Sequence, residues 1–243
     1  MNPKVSFIIP ALNEEKRIPV LINNIRRLDK NYNYEIIVAD NNSTDKTREI
    51  AETMGAKVIR NSKDAPKTIA NVRNTGASIA SGEIFIFCDA DTVIQDPNKF
   101  LPEVFLVLEN PEIIGGAPSI SIFPDEATWK DKISHFFYNN IVHLSFMTKF
   151  TLCGGECQVV RKSSFREVNG YNVDIVHAED CDFFRRLHKI GKLHFFSELV
   201  VYESPRRYRK YGYTVLFLQA VYSHVYQLIF KKNAFKEWKK IEY

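Results

Sequence analysis

The sequence predicts an α/β fold: a Rossmann-like, mostly parallel sheet flanked by helices, with a helical C-terminal extension. Three observations predict it. Short apolar runs alternate with segments of helical periodicity through the first half of the chain. Residues 84–88 are continuously apolar, as a strand covered on both faces must be. The early runs are each followed by polar or acidic residues, at 10–14, 40–45 and 89–91, where open α/β sheets bind their ligands.

The elements follow in order. Val5, Phe7, Ile8 and Ile9 make a buried-strand run stopped by Pro10. Ile18, Leu21, Ile22, Ile25 and Leu28 then recur at helical spacing, with Asn13 the expected cap. Residues 35–39 form a second strand. A helix is expected from Asn42 or Ser43, with Asp45 in its first turn, to Gly55. Residues 56–59 give a short third strand, 66–80 a helix, and 83–88 a fourth strand after Gly82. Asp96-Pro97 opens another helix: a side-chain cap, then a proline at the first helical position. The second half is less regular, with a helix over 129–148, a Gly154-Gly155 turn, and a helix from 179 to 190 closed by Gly191.

The chain has 243 residues, 45% apolar and 26% charged, which excludes a disordered chain, a coiled coil and a collagen-like fibre. No apolar stretch reaches the roughly 18 residues of a spanning helix, and residues 1–15 do not read as a secretory signal. Four cysteines are too few for a disulfide scaffold, and Cys153 and Cys157 lack the second pair that a zinc site needs. The expected location is the cytoplasm.

The net charge of +4 is unevenly spread. Residues 205–243 hold nine basic side chains against two acidic ones, leaving a mildly acidic body. Such a tail calls for an anionic partner.

Three sets of residues are able to carry chemistry. Asp89 and Asp91 follow a buried strand; alternate residues of an extended chain face one side about 6.5–7 Å apart. Oxygen-only ligation there suits Mg2+ or Mn2+, completed by phosphate oxygens. Glu179, Asp180 and Asp182 stand in the first turn of a helix, which the helix dipole favours in any case; a general base is the functional reading. His177 is a weaker metal-ligand candidate. The phosphate-binding, dinucleotide-binding and hydrolase-elbow glycine motifs are missing from the sequence.

In order along the chain stand Ile8-Ile9-Pro10-Ala11-Leu12-Asn13-Glu14-Glu15, Val38-Ala39-Asp40-Asn41-Asn42-Ser43-Thr44-Asp45, Arg73-Asn74-Thr75-Gly76, Asp89-Ala90-Asp91 and Glu179-Asp180-Cys181-Asp182. This series, over roughly residues 4–205, resembles the family 2 glycosyltransferases with the GT-A fold, inverting enzymes that use nucleotide-diphosphate sugars. The resemblance implies that Pro10, Ala11, Asn13 and Glu14 hold the base and ribose region. It implies that Asp40 bonds the base, typically uracil, that Arg73 lies near the base or diphosphate, and that Asp89 reaches the ribose or sugar. Asp91 would ligate Mn2+ or Mg2+. Gly154 and Gly155 resemble the floor of the acceptor site, and Asp180 the catalytic base, with Glu179 beside it. Arg206 and Arg207 follow a late strand and are weaker candidates for the diphosphate. Asp40-Asn41 departs from the family's acidic pair, which bears on nucleotide identity. The Gln-x-x-Arg-Trp signature of the processive members is missing, so transfer of a single sugar is expected.

The expected division is a GT-A domain over 1–205, with a nucleotide-binding half to about 95 and an acceptor half from about 96, and a basic amphipathic helical tail over 206–243. In the tail, residues 213–230 are apolar on most of their circumference, and Lys, Arg, Tyr and Trp238 bracket them. An interfacial helix on an anionic membrane has this make-up, and a lipid-linked acceptor follows from it. The helix around Trp129, Ile133, Phe136, Phe137, Ile141 and Leu144 is a second such surface. A homodimer is the competing use of these faces. No nucleic-acid partner is expected, since the tail has an apolar centre and no reading motif. Two other classes compete with transfer: a sugar nucleotidyltransferase, which would want a Gly-rich basic N-terminal loop, and a non-catalytic partner in a glycan-assembly complex.

Overall fold

The computed structural model describes residues 4–148 and 150–230. Strand β1 (Val5–Ala11) leads to helix α1 (Ile18–Ile25), β2 (Tyr34–Asp40), α2 (Thr47–Thr53), β3 (Lys57–Arg60), α3 (Ile69–Ser78) and β4 (Ile84–Cys88). After these come β5 (Val93–Ile94), α4 (Pro97–Leu108), β6 (Ile113–Ile122), α5 (Trp129–Ser145), β7 (Cys157–Arg161) and α6 (Lys162–Glu167). The chain continues through α7 (Glu179–Leu187), β8 (Lys192–Glu203), α8 (Arg206–Tyr211) and α9 (Tyr213–Phe230). Among the described residues no helix is long and apolar enough to cross a membrane.

One eight-stranded sheet runs in the order β3-β2-β1-β4-β7-β6-β8-β5. Its first four strands are parallel, as the alternation predicts. Strand β7 then enters antiparallel between β4 and β6, while β6 and β8 run parallel and β5 pairs antiparallel with β8. Helices cover both faces. One apolar core joins β1, β2 and β4 to α1 and α4; the other joins them to α3, α5 and α7. At the amino ends of the strands, buried Glu35 accepts hydrogen bonds from Ser6 Oγ (2.7 Å), Ser81 N (2.7 Å) and Lys57 Nζ (2.7 Å), tying three strands together.

Several boundaries differ from expectation, each for a local reason. Asn13 does not cap α1. That helix starts at Ile18 with no side-chain cap, while Asn13 sits at φ 51° and joins the first loop to the second: its N–H donates to Ser43 Oγ (2.9 Å) and its Oδ1 accepts from Thr44 N (2.8 Å). Helix α2 starts at Thr47 rather than near 42, because Asn42 takes a left-handed turn (φ 62°) and Asp45 stands ahead of the helix, accepting from Thr47 N (3.0 Å). Pro66 lies in the loop before α3, whose cap is Thr68, accepting from Asn71 N. Asp96 caps α4 as expected, by accepting from Asn98 N (3.1 Å).

The tail is less free than its charge suggests. Arg209 donates to both oxygens of buried Asp131 on α5 (2.8 and 2.6 Å), and Tyr213 bonds the same carboxylate. Tyr208 Oη donates to Glu203 (2.7 Å) and stacks on Tyr213, with ring centroids 4.5 Å apart. Helix α9 exposes Phe217, Leu218 and Tyr222 and buries Ser223. Residues 231–243, with Trp238 and five of the tail's lysines, lie outside the described residues.

Candidate active site

The carboxyl ends of β1, β2 and β4 deliver the first set of candidates. Pro10 and Ala11 end β1 with buried side chains, and Glu14 beyond them is also buried. Asp40 ends β2; it is 1% exposed, and its carboxylate accepts from Ser43 N (3.1 and 3.3 Å), which turns the loop back across the strand end. The first two loops are further joined by Glu14 N to Thr47 Oγ1 (2.7 Å) and Glu15 N to Asp45 (3.2 Å). Sequence reasoning missed Asn61. This buried side chain donates to Asn41 Oδ1 (3.0 Å) and accepts from Asn71 Nδ2 (2.8 Å), so it fastens the second loop to α3.

Arg73 occupies the centre. It projects from α3, is 1% exposed, and donates to Glu179 Oε1 (2.9 Å), Asp89 Oδ1 (2.9 Å) and the Gly155 carbonyl (3.0 Å). Its guanidinium lies 5.3 Å from the Tyr171 ring centroid. Three segments, around residues 89, 155 and 179, therefore meet on one cation. Both terminal nitrogens are held by protein groups. The fork of a guanidinium suits this task where a lysine's single ammonium would not. Gly155 must be glycine here, since a Cβ on it would strike the guanidinium.

The adjacent acids Glu179 and Asp180 differ in their partners. Glu179 is buried and paired to Arg73. Asp180, one residue on in the first turn of α7, accepts from Cys181 N (2.7 Å) and takes no hydrogen bond from Arg73. Burial, then the neighbouring Glu179 charge, pushes the Asp180 carboxyl up to about 7. The turn that presents it begins at Ala178 in the left-handed region (φ 59°), a strained conformation for a side chain with a Cβ. His177 lies in the bend just before.

Burial likewise raises Asp89 to about 6, against the pull of Arg73. Asp91 is paired with Arg206 Nη2 at 2.9 Å, and the same nitrogen lies 3.4 Å from Glu14 Oε1. Arg206, expected only weakly at this site, is thus at its carboxylates. Arg207 is half-buried beside it, and burial lowers its basicity. Among the described residues no group of three or more His, Cys, Asp or Glu converges on a metal position, and the four cysteines are free thiols.

On the acceptor side, Gly154 and Gly155 lead into β7, and Glu156 follows them. Its backbone carbonyl accepts from Asp89 N (3.0 Å), coupling this loop to the end of β4. Burial, then Glu203, raises its carboxyl well above the ordinary range. A Cβ on Gly154 would strike Glu156 and the Tyr138 hydroxyl. Glu156 and Tyr138 were not legible as site residues; adjacency to the glycine pair was the available signal for the first, and nothing marked the second. The site as a whole has a buried Arg73 hub and three carboxyls, Asp89, Glu156 and Asp180, raised above their ordinary range.

The model of the family described as "Glycosyl transferase family 2" matches residues 6–169. The chain is 36% identical over 111 residues to a dolichol-phosphate mannosyltransferase of Pyrococcus furiosus, covering 44% of this chain and 30% of that one. It is 28% identical over 202 residues to a beta-monoglucosyldiacylglycerol synthase of Nostoc, covering 76% of this chain and 41% of that one. It therefore spans less than half the length of these relatives. Among solved structures, a mannosyltransferase from Pyrobaculum calidifontis in complex with GDP-Man and Mn2+ superposes with a TM-score of 0.73 at 20% identity, covering 94% of this chain and 65% of that one. The fold matches this GT-A neighbour; the motifs around Pro10, Asp40 and Asp89 lie at the ends of β1, β2 and β4, whereas Arg73 lies on α3 and Glu179 opens α7. The chain belongs to glycosyl transferase family 2.

Proposed function

We propose that the protein transfers a single sugar from a nucleotide-diphosphate sugar, a UDP-sugar by preference, to an acceptor hydroxyl or phosphate, with inversion at the anomeric carbon. The observation that carries this reading is the division between Glu179 and Asp180. Arg73 pairs the first and leaves the second as a half-buried carboxyl near 7, the value a general base needs to work at neutral pH.

Asp180 takes the proton of the acceptor oxygen as that oxygen bonds to the anomeric carbon. The bond from that carbon to the diphosphate breaks, and the electron pair leaves with the nucleoside diphosphate. Arg73 keeps Asp89, Gly155 and Glu179 in register around the donor. Pro10, Ala11, Asn13, Glu14, Asp40 and Asp89 line the nucleotide side; Gly154 and Gly155 floor the acceptor side.

A divalent ion, Mn2+ or Mg2+, fits the donor set. Asp91 is a half-buried carboxylate that would exchange its present partner, Arg206, for the ion, and one protein carboxylate plus substrate phosphates is a usual complement for such an ion. When bound, the ion neutralises charge building on the leaving diphosphate. Arg206 and Arg207 stand ready to act on the same charge.

The acceptor is lipid-linked, and the 206–243 tail meets an anionic membrane surface on the cytoplasmic side. Supporting this are the lipid-derived names of the dolichol-phosphate and diacylglycerol relatives and the exposed apolar side chains of α9. A panel of nucleotide sugars incubated with Mn2+ tests the donor reading. Release of nucleoside diphosphate from one donor is expected, and its loss in Asp180→Asn. Full activity of that variant removes the base.

A further inference from the structure

Helix α5 is inverted for a helix packed on a sheet. Its buried residues include Asp131, His135 and Ser145. Its outward side carries Trp129, Ile133, Phe136, Phe137, Ile141 and Leu144, with Phe136 64% and Phe137 60% exposed. The spacing makes one stripe along a helix of roughly 25 Å, the reverse of the usual burial. The outward charges have one sign. Lys130 and Lys132 are exposed, and Lys130 Nζ lies 5.7 Å from the Trp129 ring centroid. The helix's carboxylate, Asp131, is buried and bound to Arg209 and Tyr213.

We propose that this face of α5 docks on an anionic lipid bilayer. Lysines and a tryptophan beside phenylalanines and aliphatics are what headgroups and the acyl boundary recognise together. A second copy of the chain fits less well. A two-fold contact sets the face against itself, and the helix's own outward charges are then lysines on both sides, the exposed acids Asp125 and Glu126 lying ahead of the helix. The proposal rests on the lipid-linked acceptor reading, and it adds to the tail's membrane contact a second one on the body. The inner side of the same helix gives Tyr138 and Val142 to the cavity under Gly154 and Glu156. One helix then stands between the bilayer and the acceptor loop.

The chain has two tryptophans, Trp129 and Trp238. Trp238→Phe in the full chain leaves Trp129 as the reporter. Its emission is expected to move to the blue with vesicles of phosphatidylcholine and phosphatidylglycerol in equal parts, and less with phosphatidylcholine alone. Phe136→Ser with Phe137→Ser is expected to weaken sedimentation with the mixed vesicles at least about tenfold, with an unchanged unfolding midpoint. Unchanged Trp129 emission in chain that still sediments assigns the contact to the tail and overturns the proposal. A dimer that the double variant abolishes, without vesicle binding, overturns it too. Donor hydrolysis measured without vesicles keeps the two readings apart. Turnover without the blue shift rejects the docking alone, whereas the blue shift without turnover of any nucleotide sugar supports the docking and counts against sugar transfer.

Discussion

Arg206 Nη2 lies 2.9 Å from Asp91 Oδ2, joining the first residue of α8 to the proposed metal-binding carboxylate in the loop after β4. Both side chains are about four-fifths covered. A guanidinium there competes with a divalent cation for the same oxygen. Arg206→Gln is therefore expected to tighten Mn2+ binding in the absence of donor several-fold, about 1 kcal/mol or less for a partly exposed pair. Electron paramagnetic resonance of free Mn2+ reads this directly. The same variant is expected to bind nucleoside diphosphate more weakly, because the cation also serves the diphosphate.

Arg73 holds the site together by burial as much as by charge. Removing it leaves Glu179 buried without its partner, a loss of about 3–5 kcal/mol. Arg73→Met should lower the thermal midpoint sharply, and adding Glu179→Gln should recover a large part of it. Arg73→Lys should recover less, because one ammonium does not span Asp89, Glu179 and the Gly155 carbonyl. Equal stability of the single variant and the parent chain would remove the hub.

With Asp180 as the proposed base, its titration sets the expected pH dependence of the reaction. A base whose carboxyl sits at about 7 is half protonated there, so the rate should fall with unit slope below that pH and level off above it. Asp180→Asn is expected to cost on the order of a thousandfold in kcat and to abolish the inflection, with little change in nucleotide affinity. A pH–rate profile on saturating donor measures both.

Glu35 sets the acid limit of the fold. Burial pushes its carboxyl up, but hydrogen bonds from Lys57, Ser81 and Ser6 outweigh burial and bring it down to about 2. A group lowered in the folded state stabilises the protein above its unfolded value. That contribution, roughly 3 kcal/mol at most, is lost as pH falls from about 4.5 through 2. Urea unfolding across this range should show the loss in the parent chain and little of it in Glu35→Gln.

Much of this architecture was legible because local signals agreed with the global fold. The runs around Phe7, Val38 and Phe87 could be buried only as central strands, and Asp96-Pro97 and Glu179-Asp180 marked helix starts through capping and dipole preferences. The second half resisted for a physical reason. In β6, Gly115 and Gly116 interrupt the apolar pattern, because a Cβ on either would strike the neighbouring strand, so its signal looks like a loop. The antiparallel entry of β7 depends on pairing with β4 and β6, which no local pattern encodes. In the site, the acids announced themselves by position after strands or in a first helical turn. Their pairing did not. That Glu179 goes to Arg73, and Asp91 to Arg206, is set by tertiary distance. The same applies to Asn13, whose residue type suited a helix cap and whose loop made it a bridge.

The central claim is that Asp180 acts from the face of the sugar opposite the leaving diphosphate. Proton NMR of the anomeric centre, in product formed from an α-linked nucleotide sugar, tests it most directly. The account predicts a β-linked product from the first turnovers; an α-linked product would contradict the role given to Asp180.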